Sequence, residues 1–377
     1  MAGIYIHIPF CRQACRYCDF FFTVSLRYRE EYVDSLIHEI GQNTIHNNND
    51  GDGLNTLYFG GGTPSVLLPA QLDRILDALR KKYAITPDAE LSIECNPDDL
   101  DQAYLTFLLS RGFNRISIGI QSFFERDLSL MRRSHNAGQA KSCVWEAATA
   151  GFKNITIDLI YGIPGQSTSQ WEENLKEALA LPLSHLSAYH LTFEPGTVFY
   201  HWRKKKRIVP VHEKDSEEQY RILRAQMLGA AYDHYEISNF AKDGLMSKHN
   251  LLYWSGSPYL GLGPSAHSFD GKDRHWNLSS LKEYMEKLRQ NGSARETEKL
   301  SIEEQYHDYL ITSLRTRWGA DPKIIRERYG EKFLKYFNLK TGPFLEKGSM
   351  WQTEGHLAIH PDHWLITDHI LRELFME

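Results

Sequence analysis

The segment GIYIHIPFCRQACRYCDF, residues 3–20, joins a short apolar stretch to three closely spaced cysteines. Cys11, Cys15 and Cys18 form a C-x3-C-x2-C pattern on one short loop. Three thiolates in this arrangement can bind three iron corners of a cubane cluster and leave the fourth iron open, whereas a cluster that only carries electrons is expected to have four cysteines. The alternative is a zinc site, which needs a fourth ligand such as His7.

Outward from this segment, short β-rich runs alternate with stretches of helical period. The predicted strands are residues 3–8, 55–59, 90–94, 115–120, 154–159 and 186–190. Repeated βα units imply a parallel sheet. Six units are too few for a closed eight-stranded barrel, so we expect an α/β fold built on an open, partial (β/α)6 barrel, with functional loops at the carboxyl ends of the strands.

The alternation weakens after about Pro195, where a linker-like stretch with the basic residues 203–207 precedes a predicted helix at 214–233. Further helices are predicted at 281–288, 301–317, 321–329, 331–339 and 361–375, with two short strands around Met350 and Leu357. We therefore expect a core at 1–195, an extension at 196–278 and a small α+β, winged-helix-like unit at 279–377. The segment 47–53 is predicted to be a solvated turn.

Net charge, apolar runs and cysteine number exclude several classes of function. The 377-residue chain has a formal net charge of -5, which gives no general attraction to nucleic acids. No apolar run is long enough to span a membrane, and no signal segment is recognisable, so a cytoplasmic protein is expected. Three of the five cysteines crowd onto one loop, which is not a disulfide framework, and Cys95 and Cys143 are expected to be buried free thiols.

Polar residues end several of the predicted strands. The second strand runs into a glycine turn, residues 60–62 followed by Thr63, where backbone can approach a ligand closely. Glu94, Gln121 and Asp158 end the next three strands, and burying such groups without partners costs roughly 1 to 3 kcal/mol each. Their convergence on the rim that carries the cysteines predicts a site for a polar ligand, whose carboxylate the guanidinium of Arg133 suits.

Together these motifs resemble the HemN/HemW family of radical S-adenosylmethionine (SAM) proteins, which comprises oxygen-independent coproporphyrinogen III oxidases and heme chaperones. The resemblance extends over nearly the whole chain. It implies that Cys11, Cys15 and Cys18 bind a [4Fe-4S] cluster and that SAM is surrounded by Tyr5, Tyr17, Gly61, Gly62, Thr63, Glu94, Gln121, Arg133 and Asp158. It also implies reductive cleavage of SAM to methionine and a 5'-deoxyadenosyl radical.

Two departures separate the chaperones from the oxidases. The oxidase pattern continues with a fourth cysteine two residues after the third, where this chain has Phe20, and the oxidase's N-terminal arm has no counterpart before the first strand. A third mark is the HNxxYW sequence at residues 249–254, which resembles the heme motif of the chaperones. By that resemblance His249 would be the axial heme ligand, with His267 a secondary candidate.

The sequence therefore predicts a heme chaperone that binds heme and passes it to acceptor proteins, with the cluster and SAM as cofactors. A flavodoxin-like reductant is a further expected partner, and nucleic acid is not. Two alternatives remain: coproporphyrinogen III oxidation, and radical SAM methylation of an unidentified substrate. The basic run 204–207 is expected to be a solvated loop, although heme propionates or an acidic partner would also suit it.

Overall fold

The computed structural model describes residues 2–43 and 53–376, so most of the turn predicted at 47–53 lies outside the described residues. One 12-stranded sheet dominates it. Its strands are β1 (Gly3–Ile8), β2 (Leu54–Gly61), β3 (Ile85–Cys95), β4 (Arg115–Gln121), β5 (Asn154–Tyr161), β6 (His185–His190), β7 (Asp233–Glu236), β8 (Asn239–Ala241), β9 (Tyr259–Leu262), β10 (His267–Phe269), β11 (Arg274–Asn277) and β12 (Arg295–Glu298). Their spatial order is β12-β11-β10-β9-β1-β2-β3-β4-β5-β6-β8-β7.

Strands β1 to β6 are parallel and follow the order of the sequence. Each of the six predicted strands lies within one of them. The outer neighbours of β1 and β6 are β9 and β8, so the sheet does not close between β1 and β6. The predicted α/β fold with an open, partial barrel is confirmed.

Side-chain alternation gives this sheet two different faces. Ile4, Ile6 and Ile8 of β1 are buried in the main hydrophobic core. Tyr5 and His7 lie on the other face, in register with Tyr58 and Gly60 of β2. The inner face of the partial barrel is therefore polar and aromatic, while the outer face packs on helices.

The crossover helices are α1 (Arg29–Gln42), α2 (Pro69–Lys82), α3 (Gln102–Ser110), α4 (Glu125–Met131), α5 (Ala137–Ala150) and α6 (Thr168–Leu179). Helix α2 begins with Pro69, whose missing N–H is not needed in a first turn. Its residues Leu72, Ile75, Leu76 and Leu79 are all buried, as three- and four-residue spacing requires.

The sheet extends well beyond residue 195 at both of its edges. Four more helices accompany it: α7 (Val198–Lys204), α8 (Glu213–Gly229), α9 (Lys248–Trp254) and α10 (Leu281–Arg289). The linker-like stretch predicted at 203–207 is only partly so, because α7 extends through its first two residues, Arg203 and Lys204. Strand β12 lies past residue 278 and still pairs with β11. These added strands have three or four residues each, which is too short for a clear period-2 pattern.

A small α+β unit ends the described chain. It contains α11 (Ile302–Ser313), α12 (Pro322–Tyr329), α13 (Glu331–Glu346), the hairpin β13 (Met350–Thr353) and β14 (His356–Ile359), and α14 (Thr367–Leu374). Ala320 forms an antiparallel bridge with Leu357, which adds a second short pairing to that of the hairpin. The winged-helix-like arrangement stays a prediction. The helix predicted at 361–375 is two elements, a 3-10 helix at Pro361–Ile366 and then α14. Within residues 2–43 and 53–376, no helix has the length and apolarity needed to cross a membrane.

Candidate functional site: a cysteine-lined cavity at the carboxyl ends of the strands

The cysteine loop follows β1 directly and is fixed by backbone contacts on two sides. Cys11 N–H donates to the carbonyl of Thr23 at 3.0 Å, and Arg16 N–H donates to the carbonyl of Met131 at the end of α4, also at 3.0 Å. The Arg16 guanidinium donates to the carbonyl of Leu130 at 3.0 Å. These bonds hold the loop over the carboxyl end of the parallel sheet.

Polar groups contact two of the three sulfurs. The Thr63 hydroxyl donates to Sγ of Cys11 at 3.4 Å, and Nη1 of Arg133 donates to Sγ of Cys15 at 3.3 Å. Burial raises the pKa of Cys11 to about 11 and the pKa of Cys18 to about 12. Because a thiolate is the ligand form, metal binding at this loop releases protons and is favoured by the donors and cations that face the sulfurs.

A single-ion zinc site is not supported by this geometry. No three His, Cys, Asp or Glu side chains in the described part of the chain converge closely enough to hold one ion. His7 also lacks a free ring nitrogen, since Nε2 lies 2.9 Å from the carbonyl of Phe21 and Nδ1 lies 3.2 Å from the Tyr5 hydroxyl. Three separate thiols around one cavity suit the separate corners of a cubane cluster, so the donor set fits a [4Fe-4S] cluster.

The glycine turn brings the ends of β1 and β2 into close contact. Gly62 N–H donates to the carbonyl of Ile8 at 2.8 Å. A β-carbon at Gly62 would lie 2.8 Å from the carbonyl oxygen of Phe10 and 2.9 Å from that of Ile8, so any side chain would push the cysteine loop away. Gly61 has φ +108°, which favours glycine, and its N–H donates to Glu94 at 3.1 Å.

Two carboxyl groups that are only partly exposed line the same cavity, Glu94 and Asp158. Burial raises the pKa of Glu94 to about 7, against the hydrogen bonds that its carboxylate accepts from the Tyr58 hydroxyl at 2.7 Å and from Gly61 N–H. Burial also raises the pKa of Asp158 to about 6, although the hydroxyls of Ser187 and Ser117 favour its charged form. The charge of Asp158 raises the pKa of Glu94 further, so a cationic ligand beside these carboxylates would be stabilised.

Arg133 is a half-buried cation that lines the cavity. Its Nη2 donates to Oδ1 of Asn96 at 2.7 Å and to the carbonyl of Gly119 at 2.6 Å. Its Nε is buried without a hydrogen-bond partner in the described structure. An unsatisfied guanidinium N–H beside a cavity suits a ligand carboxylate, which accepts from such a donor. Gln121, at the end of β4, has φ 72°, a conformation that is uncommon for a non-glycine residue and often occurs at functional sites.

The cavity has a volume of about 450 Å³, within the usual range for small-molecule sites. It brings together most of the predicted site residues: Cys11, Cys15, Tyr17, Cys18, Gly61, Gly62, Thr63, Glu94, Gln121, Arg133 and Asp158. The sequence thus predicted at least one cavity-lining residue at or near the carboxyl end of each of the strands β1 to β5. These residues fit a zwitterionic, cationic ligand of the size and polarity of SAM.

Tyr5, His249 and the secondary candidate His267 are the predicted site residues that do not line the cavity. Tyr5 lies deeper on the inner face, stacked on Tyr58 with ring centroids 6.0 Å apart. His249 is 1% exposed and stacks on Tyr58 at 5.1 Å. Its Nδ1 lies 2.8 Å from the Thr56 hydroxyl and its Nε2 lies 2.8 Å from the Tyr253 hydroxyl, so both ring nitrogens are occupied.

Comparison with known proteins assigns this arrangement to a family. The model of the radical SAM superfamily matches residues 5–178. The heme chaperone HemW of Bacillus subtilis is 36% identical over 366 residues, which cover 96% of each chain. The heme chaperone HemW of Escherichia coli is 31% identical over 97% of this chain and 94% of its own length. This chain belongs to the HemN/HemW family of radical SAM proteins. Membership implies SAM and a [4Fe-4S] cluster as cofactors.

A solved structure shows the same HemN/HemW architecture. Coproporphyrinogen III oxidase (HemN) from Escherichia coli, described as a radical SAM enzyme, superposes with a TM-score of 0.84 at 25% identity. The alignment covers 100% of this chain and 90% of that chain. The chain thus shares its fold with an oxidase of this family over its full length.

Several residues of this HemN/HemW-type cavity were not anticipated from the sequence. Asn96 lies just past β3, and Tyr189, His190, Leu191 and Thr192 form the end of β6 and the turn after it. His190 is the one histidine among the described residues that line the cavity. Glu94, Gln121 and Asp158 were predicted because they are polar residues at the ends of strands. The same reasoning applies to Tyr189 and His190, which end the sixth predicted strand.

Proposed function

We propose that this protein binds heme and transfers it to acceptor proteins, with a [4Fe-4S] cluster and SAM held in the cysteine-lined cavity. The observation that carries the proposal is similarity along 96% of the chain to a protein named as a heme chaperone. The cavity supports the cofactor part of the proposal, because its thiols, carboxylates and guanidinium match the groups that a cluster and SAM present.

Each residue type in the cavity has a distinct task in this proposal. Cys11, Cys15 and Cys18 would bind three irons, and Arg133 would neutralise charge at Cys15 while its Nε donates to a carboxylate of SAM. Ionised Glu94 and Asp158 would stabilise the sulfonium charge and accept hydrogen bonds from SAM. When bound, the cluster and SAM supply one-electron reductive chemistry, which the protein orients and shields from water.

Coproporphyrinogen III oxidation is the second candidate, because the oxidase HemN shares the fold at a TM-score of 0.84. Phe20 stands where the oxidase pattern has its fourth cysteine. Its side chain is 67% exposed and lines the cavity together with Phe22. Aromatic lining residues suit stacking against a flat macrocycle such as heme. The absence of the oxidase's fourth cysteine, and not the stacking, favours heme binding over the oxidase's chemistry.

One experiment distinguishes these functions. The cluster would be reconstituted anaerobically, and the protein then titrated with heme while a parallel sample receives coproporphyrinogen III, SAM and a reductant. Tight heme binding without release of carbon dioxide is expected for the chaperone. Conversion of the substrate to its divinyl product would show that the protein is an oxidase despite Phe20.

The heme ligand is tested by two histidine variants. We propose His249 as the axial ligand, in which case iron must displace the Tyr253 hydroxyl from Nε2. His249→Ala is expected to weaken heme binding about tenfold or more and to leave the iron–sulfur absorbance intact. It should also lower the free energy of unfolding by about 1 to 3 kcal/mol, because two buried hydrogen bonds are lost.

His190→Ala is the matched comparison, because His190 lies at the open cavity and its Nε2 contacts only the Ser216 hydroxyl at 3.1 Å among the described hydrogen bonds. This variant should keep the heme affinity of the wild type. A loss of affinity in His190→Ala alone would move the ligand from the buried network to the cavity. Unchanged affinity in His249→Ala would exclude His249.

A further inference from the structure

We propose that a basic segment beside the cysteine loop, residues 203–207, is the docking surface for a small acidic electron-transfer protein that reduces the cluster. The segment reads Arg203, Lys204, Lys205, Lys206, Arg207. The inference rests on the proposed function in one respect, since it takes the cysteine loop to hold the cluster. It adds the place and the chemistry of the partner.

Direct contacts place this segment next to the cysteine loop. Phe199 N–H, in the first turn of α7, donates to the carbonyl of Arg16 at 3.0 Å. The guanidinium of Arg16 lies over the ring of Trp202, 4.7 Å from its centroid. Arg16 is the residue between Cys15 and Tyr17, and the basic segment begins immediately after Trp202. A protein bound to the segment would therefore lie beside the loop that carries the thiols.

The charge of the segment is not balanced by its surroundings. All five side chains are exposed, and none forms an ion pair with a described carboxylate. The acidic residues that flank the segment in the sequence, Glu194 and Glu213, make no ion pair with it. Five adjacent cations on a chain with a net charge of -5 form a strong local field. Such a field attracts and orients an acidic protein over about a Debye length, roughly 8 Å at physiological salt.

Apolar side chains are exposed around the same place. Val198 at the start of α7 is 42% exposed, and Val209, two residues past the segment, is 74% exposed. Ile208, the residue after the basic segment, packs against a small apolar cluster that includes Leu191 and Phe199. This contact fixes the end of the segment to the cavity wall. Exposed apolar residues bordered by charge are typical of protein interfaces.

We choose an acidic electron donor as the partner because the basic segment lies next to the cysteine loop. The three thiols are only partly exposed, so an electron delivered from outside reaches the cluster by way of the loop and its neighbours. The basic segment lies beside that loop, so a donor bound to the segment would be close to the cluster. Complementary charge would raise the rate of productive encounter and fix the orientation of the partner.

The test compares a protein donor with a neutral chemical donor. The variant Lys204→Glu, Lys205→Glu, Lys206→Glu would be reconstituted beside the wild type, and cluster reduction followed by absorbance with reduced flavodoxin or with photoreduced 5-deazaflavin. Reduction by flavodoxin should fall about tenfold or more at low salt, and high salt should reduce the difference. Reduction by deazaflavin should not change.

A matched control carries the same charge change elsewhere. Lys332→Glu, Lys335→Glu, Lys347→Glu alters three exposed lysines on or next to α13 and should reduce flavodoxin-dependent rates little. Equal flavodoxin rates in the basic-segment variant and the wild type would overturn the proposal. It would also be overturned if the variant lost only heme affinity or only binding to vesicles of anionic phospholipid.

A second readout separates this proposal from the proposed function. Binding of fluorescently labelled, oxidised flavodoxin can be measured by anisotropy without any cluster or heme. Weaker binding by the basic-segment variant, but not by the control, supports the docking surface whether or not the protein binds heme. Equal binding by the three proteins contradicts it, even when heme titration succeeds.

Discussion

At the scale of single residues, the carboxyl group of Glu94 links ligand binding to pH. Its pKa is raised to about 7, so a substantial fraction is protonated at neutral pH. The sulfonium of SAM is cationic at any pH and favours the ionised carboxylate. A ligand that prefers the deprotonated group binds more tightly as the pH rises through that pKa, and the gain ends above it.

We therefore expect the affinity for SAM to rise between pH 5.5 and 7.5, by up to about tenfold per pH unit at the acid end. Equilibrium dialysis across this range measures it. In Glu94→Gln, the affinity should be weaker at pH 7.5 and nearly independent of pH down to about 6.5. A wild-type affinity that stays constant or falls over the range would show that Glu94 and Asp158 do not contact a cationic ligand.

Arg133 gives a second prediction, because a neutral side chain there loses the contacts with Cys15, Asn96 and Gly119 together. Arg133→Gln should reduce the affinity for SAM at least tenfold, since hydrogen bonds to charged groups contribute roughly 1.5 to 3 kcal/mol. Dialysis with labelled SAM measures the change.

Arg132→Gln is the control for this variant, because Arg132 is the exposed neighbour. It should bind SAM as the wild type does. Equal losses in both variants would mean that the turn after α4 matters, and that the guanidinium of Arg133 does not.

The sequence predicted the cavity residues well where one physical rule applied. A polar residue at the end of an apolar strand needs a partner, and Glu94, Gln121 and Asp158 all line the cavity. For His249 the HNxxYW motif could not reveal the surroundings of the ring, because a short motif carries no information about burial, and only the structure shows both ring nitrogens bonded. Arg133 was anticipated as a carboxylate partner, but its contact with a sulfur was not.

At the scale of elements, the contact between the glycine turn and the cysteine loop is the sensitive point. Gly62→Ala places a β-carbon within 3 Å of backbone atoms of Ile8 and Phe10, which cannot move aside as a side chain would. We expect the reconstituted variant to retain less iron per chain and to be less stable by about 1 to 3 kcal/mol, as is typical of overpacking. Iron analysis and denaturant unfolding measure the two effects.

Gly41→Ala provides the comparison for that variant. Gly41 lies in α1, and a β-carbon there would meet nothing within 4 Å. Alanine should stabilise the helix by roughly 0.5 to 1 kcal/mol without affecting iron content. The close-contact argument fails if Gly62→Ala keeps wild-type iron content and stability.

The elements themselves were predictable in proportion to their length. The parallel strands and α2 carry several periods of apolar spacing, so each was found from the sequence. Strands such as β8 (Asn239–Ala241) and β10 (His267–Phe269) have three residues each and acquire their identity only from the neighbours with which they pair. The extension of the sheet beyond residue 195 therefore could not be predicted from local pattern.

At the scale of the whole molecule, a polar cavity at the carboxyl ends of six parallel strands is bordered by one loop of thiols and, outside it, by the basic segment 203–207. The same fold supports an oxidase, so the fold alone does not select the function. What distinguishes this chain from the oxidase pattern is local: Phe20, which lines the cavity, stands where that pattern has its fourth cysteine.

The most direct test of the central claim is the electron paramagnetic resonance spectrum of the reconstituted, reduced protein, recorded with and without SAM. If Cys11, Cys15 and Cys18 hold a [4Fe-4S] cluster with an open iron in this cavity, SAM should shift the spectrum of the wild type, and Cys15→Ser should lack the cluster signal. A wild-type spectrum that SAM leaves unchanged, or a full cluster signal in Cys15→Ser, would contradict the account.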